Sequence, residues 1–172
     1  MKFFLIFVWR IVGNCVTLKS ETKRVKFMRF IGTVDAKVDQ KGRVFVPALF
    51  RRSLRGDGAE RLIMRKDIFE NCLVIYPESV WNERLNELHA RLSVWNRDQQ
   101  RMFRQFVADV EWLVLDSNGR ILLPKRYLRM AGIEQDVTFI GMDSTIEIWA
   151  KGANESDNAT PELGEALQNL ME

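Results

Sequence analysis

The spacing of apolar positions alternates between two periods. From Phe30 to Val38 (FIGTVDAKV), β-branched residues and partial alternation predict a strand. Asp39 to Gly42 predicts a turn, because Asp bonds its own downstream backbone and Gly accepts positive φ. Arg43 to Val46 resumes the strand pattern. Pro47 then suits the first position of a helix, where its missing N–H costs nothing. Phe50 and Leu54 share one face of that helix, with Arg51, Arg52 and Arg55 around the other. Gly56-Asp57-Gly58 is expected to end it. Leu62 to Met64 and Cys72 to Tyr76 predict two more strands, joined by a loop around Arg65 to Asn71.

The same order then returns. Glu111 to Leu115 predicts a strand, Asp116 to Gly119 a turn, Arg120 to Leu123 a strand, and Pro124 opens a helix that Gly132 closes. Val137 to Ile140 and Thr145 to Trp149 form a predicted hairpin around Met142-Asp143-Ser144. The repeat is literal at the turns. DQKGRVFVP from Asp39 to Pro47 returns as DSNGRILLP from Asp116 to Pro124, 77 positions later. Both copies read Asp-x-x-Gly-Arg, then three apolar residues, then Pro. Such a repeat predicts a pseudo-two-fold fold, and whatever surface the Gly-Arg turn presents is presented twice.

Between the repeats, Trp81, Leu85, Leu88, Leu92 and Trp95 fall at spacings of four, three, four and three. That predicts an amphipathic helix with a coiled-coil-like seam. Asn96 with Gln99 resembles a capping box opening a second helix, with Met102, Phe103, Phe106, Val107 and Val110 as its apolar face. The helices are expected to pack on the β core, and part of the aromatic seam is a candidate subunit interface; the two readings are compatible. From Ala153 onward the chain is polar and acidic and is expected to be loose.

Charge is placed unevenly. The chain has 172 residues and a formal net charge of +3. Residues 1–27 carry six Lys/Arg and one acid, whereas the segment from Lys151 carries one base and five acids. The middle is left near neutral, so global charge says little about a polyanion partner and only local clustering counts. The apolar run Phe3 to Trp9 is interrupted by Arg10 and is far shorter than the ~20 residues that span a bilayer. No membrane role is expected. Met28 directly precedes the first strand and is read as the true start, with a cryptic signal or anchor as the alternative; on the first reading residues 1–27 are expected to contribute nothing to the core. Cys15 and Cys72 have no metal-like spacing, which argues against a disulfide scaffold or a zinc site.

No catalytic constellation stands out. His89, the single histidine, sits mid-helix without a partner, and no Gly-rich loop opens a helix in a phosphate-binding pattern. No cofactor, metal or small-molecule substrate is expected, and the chain reads as a non-enzyme. The turns are the better lead. An Arg at the end of a tight turn projects from a rigid scaffold, and its planar fork grips a phosphate or the O6/N7 edge of guanine. The candidate phosphate- or base-contacting residues are therefore Arg43 and Arg120, whereas Lys41 by itself reads as an ordinary solvated charge beside the turn. Asp39, Gly42, Asp116 and Gly119 support the turns, the carboxylates by accepting backbone N–H bonds and steadying the guanidinium.

With both motifs in hand, the stretch from Met28 to Trp149 resembles the MraZ family of bacterial transcriptional regulators, built from two SpoVT-AbrB-type domains. The match rests on Asp39…Arg43 and Asp116…Arg120, each followed by a Pro-started helix and separated by a helical segment. The resemblance implies an α+β, mainly β fold: a swapped-hairpin (AbrB-like) β-barrel built from two internal repeats with an inserted helical segment. The organisation expected is an N-terminal extension at 1–27, repeat 1 at 28–77, helices at 78–110, repeat 2 at 111–150 and an acidic flexible tail at 151–172. The resemblance also implies a ring-like homo-oligomer binding repeated double-stranded DNA ahead of its own operon, a division and cell-wall cluster, in a cytoplasmic, nucleoid-associated setting. The family's motif arginines map onto Arg43 and Arg120, with Lys41 in the same loop. The second copy departs from the first with Ser117-Asn118 in place of Gln40-Lys41, which implies a weaker grip or a structural role there.

Two rivals remain at this stage. A protein-interaction module of antitoxin type would carry a long disordered segment to wrap its partner, and only the short acidic tail qualifies. An RNA binder would expose aromatics on a sheet for stacking, whereas the aromatics here sit mostly in helical seams and strand ends.

Overall fold

The computed structural model describes residues 29–54, 61–153 and 162–171. The expectations for residues 1–27, Arg55 and Gly56-Asp57-Gly58 lie outside these. The first repeat supplies β1 (Phe30–Lys37), β2 (Arg43–Phe45), α1 (Ala48–Leu54), β3 (Leu62–Lys66) and β4 (Leu73–Pro77). Helices α2 (Glu78–Ala90) and α3 (Arg97–Ala108) follow. The second repeat supplies β5 (Glu111–Leu113), β6 (Arg120–Leu122), α4 (Lys125–Met130), β7 (Asp136–Asp143) and β8 (Thr145–Ala150).

The fold is α+β and mostly antiparallel sheet. Six strands lie in the order β1-β7-β8-β4-β3-β5, and β2 pairs with β6 in a separate two-stranded ribbon. Exchanging the repeats turns β1 into β5, β7 into β3 and β8 into β4, so the order reads the same from either edge. The pseudo-two-fold axis therefore runs between β4 and β8. It also runs through the ribbon, where Val44 faces Ile121, its counterpart 77 positions on. Four ladders join one repeat to the other: β1–β7, β4–β8, β3–β5 and β2–β6. Among the described residues no ladder joins β1 to β5, so the six strands are not closed into a barrel.

Side-chain alternation gives the sheet two faces. On one, Phe30, Met64, Ile75, Phe139 and Ile148 meet Val44, Val46, Ile121 and Leu123 of the ribbon and Phe50, Leu54 and Tyr127 of α1 and α4 in the main core. The other face carries a smaller cluster of Ile63, Cys72, Val74, Tyr76, Trp81 and Trp149 beneath α2 and α3. Trp81 and Phe106 anchor the helices there, their rings stacked 5.4 Å apart and 2° from parallel. The ribbon and the helical pair thus lie on opposite sides of the sheet.

The helical segment departs from its pattern. The seam stops at Ala90, so Leu92 and Trp95 lie outside α2, and Trp95 is 93% exposed. The cause is local competition for backbone groups. Arg91 and Leu92 donate to the carbonyls of Leu88 and His89 in tight turns. Ser93 N–H donates to Gln99 Oε1 at 2.7 Å, and Gln100 Nε2 donates to Ser93 O at 3.2 Å. Asn96 caps α3 as expected, its Oδ1 accepting from the N–H groups of Asp98 and Gln99. Gln99 is drawn to Ser93 rather than back to the cap. None of the residues of α3 is fully buried. Beyond Ala153, where a loose tail is expected, Glu162–Met171 forms a helix, α5.

Candidate nucleic-acid interface

Each turn is built by its own aspartate. Asp39 Oδ1 accepts from Lys41 N–H and Arg43 N–H, both at 2.9 Å, and Oδ2 accepts from Arg43 Nε at 2.8 Å. Arg43 Nη2 lies 2.7 Å from the same oxygen. The second copy repeats the three hydrogen bonds to the aspartate. Asp116 Oδ1 accepts from Asn118 N–H at 2.9 Å and Arg120 N–H at 2.8 Å, and Oδ2 accepts from Arg120 Nε at 2.8 Å. The turns are closed by Gly42 N–H and Gly119 N–H donating to the carbonyls of Asp39 and Asp116. Charge-assisted bonds of this kind are stronger than neutral ones. The backbone N–H of Arg43, then its guanidinium, holds the Asp39 carboxyl below its ordinary range; the Arg120 N–H does the same for Asp116.

The two turns are also locked to each other. Val46 N–H donates to Gly119 O at 3.0 Å, and Leu123 N–H donates to Gly42 O at 2.8 Å. These bonds are related by the repeat, since 46 and 123, like 42 and 119, differ by 77. Gly42 and Gly119 have φ of +86° and +84°. The sequence-predicted residues Asp39, Lys41, Gly42, Arg43, Asp116, Gly119 and Arg120 are thereby gathered on one ribbon.

The register decides what this ribbon shows to solvent. Arg43 faces Leu122 and Phe45 faces Arg120 across the ladder, while Val44 faces Ile121. Val44, Val46, Ile121 and Leu123 point into the core; Arg43, Phe45, Arg120 and Leu122 form the outer face. With one guanidinium edge committed to Asp39 or Asp116, the remaining N–H donors of each Arg have no hydrogen-bond partner among the described residues. Lys41, Arg52, Lys125 and Arg129 are exposed. Arg126 is turned elsewhere, donating to Tyr127 Oη at 2.7 Å and lying 3.5 Å from Glu111.

Three features escape the sequence reading. Phe45 and Leu122, large apolar residues, are 56% and 54% exposed beside the arginines; the period of two along Arg43-Val44-Phe45-Val46 is the signal that places them there. Arg51 packs its guanidinium against Gly119 of the other repeat, with its Nε buried and without a partner among the described residues. Its repeat counterpart is Leu128, a buried core residue. Arg65 is buried, its guanidinium 4.1 Å above the Phe106 ring.

Other chemistry is sparse. Among the described residues no group of His, Cys, Asp and Glu is placed to hold a metal ion, and no helix is long and apolar enough to cross a membrane. His89 is exposed, its ring edge-on to Phe103 at 5.7 Å. Burial pushes the Cys72 thiol up to about 12, which leaves it protonated and inert.

The family described as "MraZ protein, putative antitoxin-like" matches residues 29–105 and 109–155. Among similar proteins, "Transcriptional regulator MraZ" of Bacteroides fragilis is 56% identical over 145 residues, spanning 84% of this chain and 92% of that protein. The protein of the same name from Bacteroides thetaiotaomicron is 56% identical over 145 residues, covering 84% and 93%. That of Caldanaerobacter subterraneus subsp. tengcongensis is 33% identical over 145 residues, covering 81% and 97%. The role these names describe is not enzymatic.

Proposed function

The chain belongs to the MraZ family, and from that premise we propose that it is a sequence-specific, DNA-binding transcriptional regulator acting on repeats upstream of its own operon, a division and cell-wall cluster. The observation that carries this reading is the outer face of the β2–β6 ribbon, where two aspartate-clamped arginines stand at symmetry-related positions. A two-stranded ribbon fits the ~12 Å major groove. Clamping one edge of each guanidinium lowers the entropy lost when the free edge grips guanine or phosphate. Arg43 and Arg120 are the reading residues, Lys41 is a neighbouring phosphate contact, and Asp39, Gly42, Asp116 and Gly119 hold the turns. Arg43 is the more exposed arginine and has Lys41 beside it, so it carries more of the binding than Arg120.

The architecture that suits this role is a swapped-hairpin arrangement of AbrB-like repeats at 28–77 and 111–150, with helices inserted at 78–110. The repeat-to-repeat ladders support it. A ring-like homo-oligomer in the cytoplasm, associated with the nucleoid, completes the reading. Near-neutral charge makes one copy a weak polyanion ligand, and several ribbons meeting successive DNA repeats convert weak contacts into avidity.

The test is a salt-series titration of the full chain against duplex from upstream of its gene, with scrambled duplex and single-stranded RNA beside it. Tight, repeat-dependent binding to the upstream duplex is expected, its logarithm falling linearly with that of salt. Binding without preference over scrambled DNA overturns the reading in favour of a protein partner, and preference for RNA overturns it in favour of stacking recognition.

A further inference from the structure

We propose that Phe45 and Leu122 read the C5-methyl groups of thymine, so that each end of the ribbon recognises a guanine–thymine combination rather than guanine alone. This rests on the ribbon being the DNA-contacting face.

The ribbon has four outward positions, and two of them are large apolar residues. Phe45 and Leu122 remain about half exposed while their strand neighbours Val44 and Ile121 are 0% and 1% exposed. A face meant only for water or phosphate has no use for them, since exposed apolar surface is unfavourably hydrated. Residue 45 becomes residue 122 under the 77-residue repeat, so both copies place an apolar side chain at the same site while differing elsewhere in the motif.

Their partners decide the ligand. Phe45 lies directly opposite Arg120, and Leu122 directly opposite Arg43. Each apolar side chain is thus paired with an arginine of the other repeat, and the Arg120 guanidinium sits 5.6 Å from the centroid of the Phe45 ring. In the major groove, arginine's match is guanine O6/N7, and the apolar feature is the thymine methyl. The two arginine–apolar pairs lie two residues apart along the ribbon. At about 3.3 Å per residue and about 3.4 Å per base step, that is about two base-pair steps. The arrangement reads thymine at two positions about two steps apart, each beside an arginine contact.

The probe is a duplex enriched by the full chain from a random pool, compared with the same duplex carrying uracil in place of every thymine. Uracil pairs identically and lacks only the methyl. The expected result is a loss of affinity of about fourfold for each methyl contacted. Phe45→Ala and Leu122→Ala are expected to bind the thymine duplex more weakly and to lose less than wild type on moving to uracil, a non-additivity that marks direct contact. Equal binding of both duplexes by wild type, with binding still weakened by Arg43→Ala, overturns the methyl contact and leaves the DNA reading standing. Failure to enrich any duplex overturns both. A Phe45→Ala loss that is the same on both duplexes and comes with a changed oligomer mass assigns the residue to contacts between copies and overturns the proposal.

Discussion

At each turn a glycine at positive φ lies against the opposite repeat, and the two surroundings differ. A Cβ on Gly42 would meet the Leu123 carbonyl oxygen at 2.5 Å, whereas one on Gly119 would meet the Arg51 side chain. Backbone cannot step aside and a side chain can. Gly42→Ala is therefore expected to cost about 2 kcal/mol or more and Gly119→Ala about 1–2 kcal/mol, read as shifts of the urea midpoint; the reverse order would contradict the packing described. The clamping aspartates make a second prediction. Their folded pKa values lie below the ordinary 3.8, so their stabilising contribution is fully present above that value and is lost as pH falls through the folded pKa. The double variant Asp39→Asn, Asp116→Asn is expected to lose stability less steeply than wild type below about pH 4, with acid unfolding curves as the measurement; identical slopes would rule the carboxylates out. This scale was legible early, because Asp-x-x-Gly-Arg is a local motif whose bonds span four residues. The exposure of Phe45 and Leu122 was not, since an apolar residue in a strand reads as core until the register assigns its face.

Elements of the two repeats follow their sequence signals closely. The strands, the Pro-started helices and the buried pair Phe50 and Leu54 stand where alternation and helical spacing put them. The helical insert follows them less well. A four-three spacing continues through Leu92 and Trp95, but the helix ends before them where Ser93 N–H donates to Gln99 Oε1 and Gln100 Nε2 donates to Ser93 O, and periodicity carries no trace of that competition. Two substitutions separate seam from surface. Trp81→Ala removes a buried ring stacked on Phe106 and is expected to cost about 3 kcal/mol. Trp95→Ala is expected to change stability by no more than about 0.5 kcal/mol, as measured by chemical denaturation. An unchanged oligomer mass in Trp95→Ala would count against an interface role for that residue, and a smaller one would support it.

At the scale of the molecule, the repeat sets the strand order and the place of both turns. The palindromic strand order brings the two distant Gly-Arg turns together, with Gly42 O and Gly119 O each bonded to the other repeat. That juxtaposition was legible only as an expectation of pseudo-symmetry, because which strands pair across 77 residues is decided by long-range contacts that no local pattern encodes. On the function proposed above, the consequence is one reading surface rather than two. It is tested most directly by measuring duplex affinity for wild type, Arg43→Ala and Arg120→Ala alongside circular dichroism and oligomer mass. The account predicts that both variants stay folded and assembled and that both bind more weakly. Arg43→Ala should lose more, on the scale of about 1–3 kcal/mol for a bidentate base contact. Wild-type affinity in a folded Arg43→Ala variant, or loss of the folded state on removing that side chain, would contradict it.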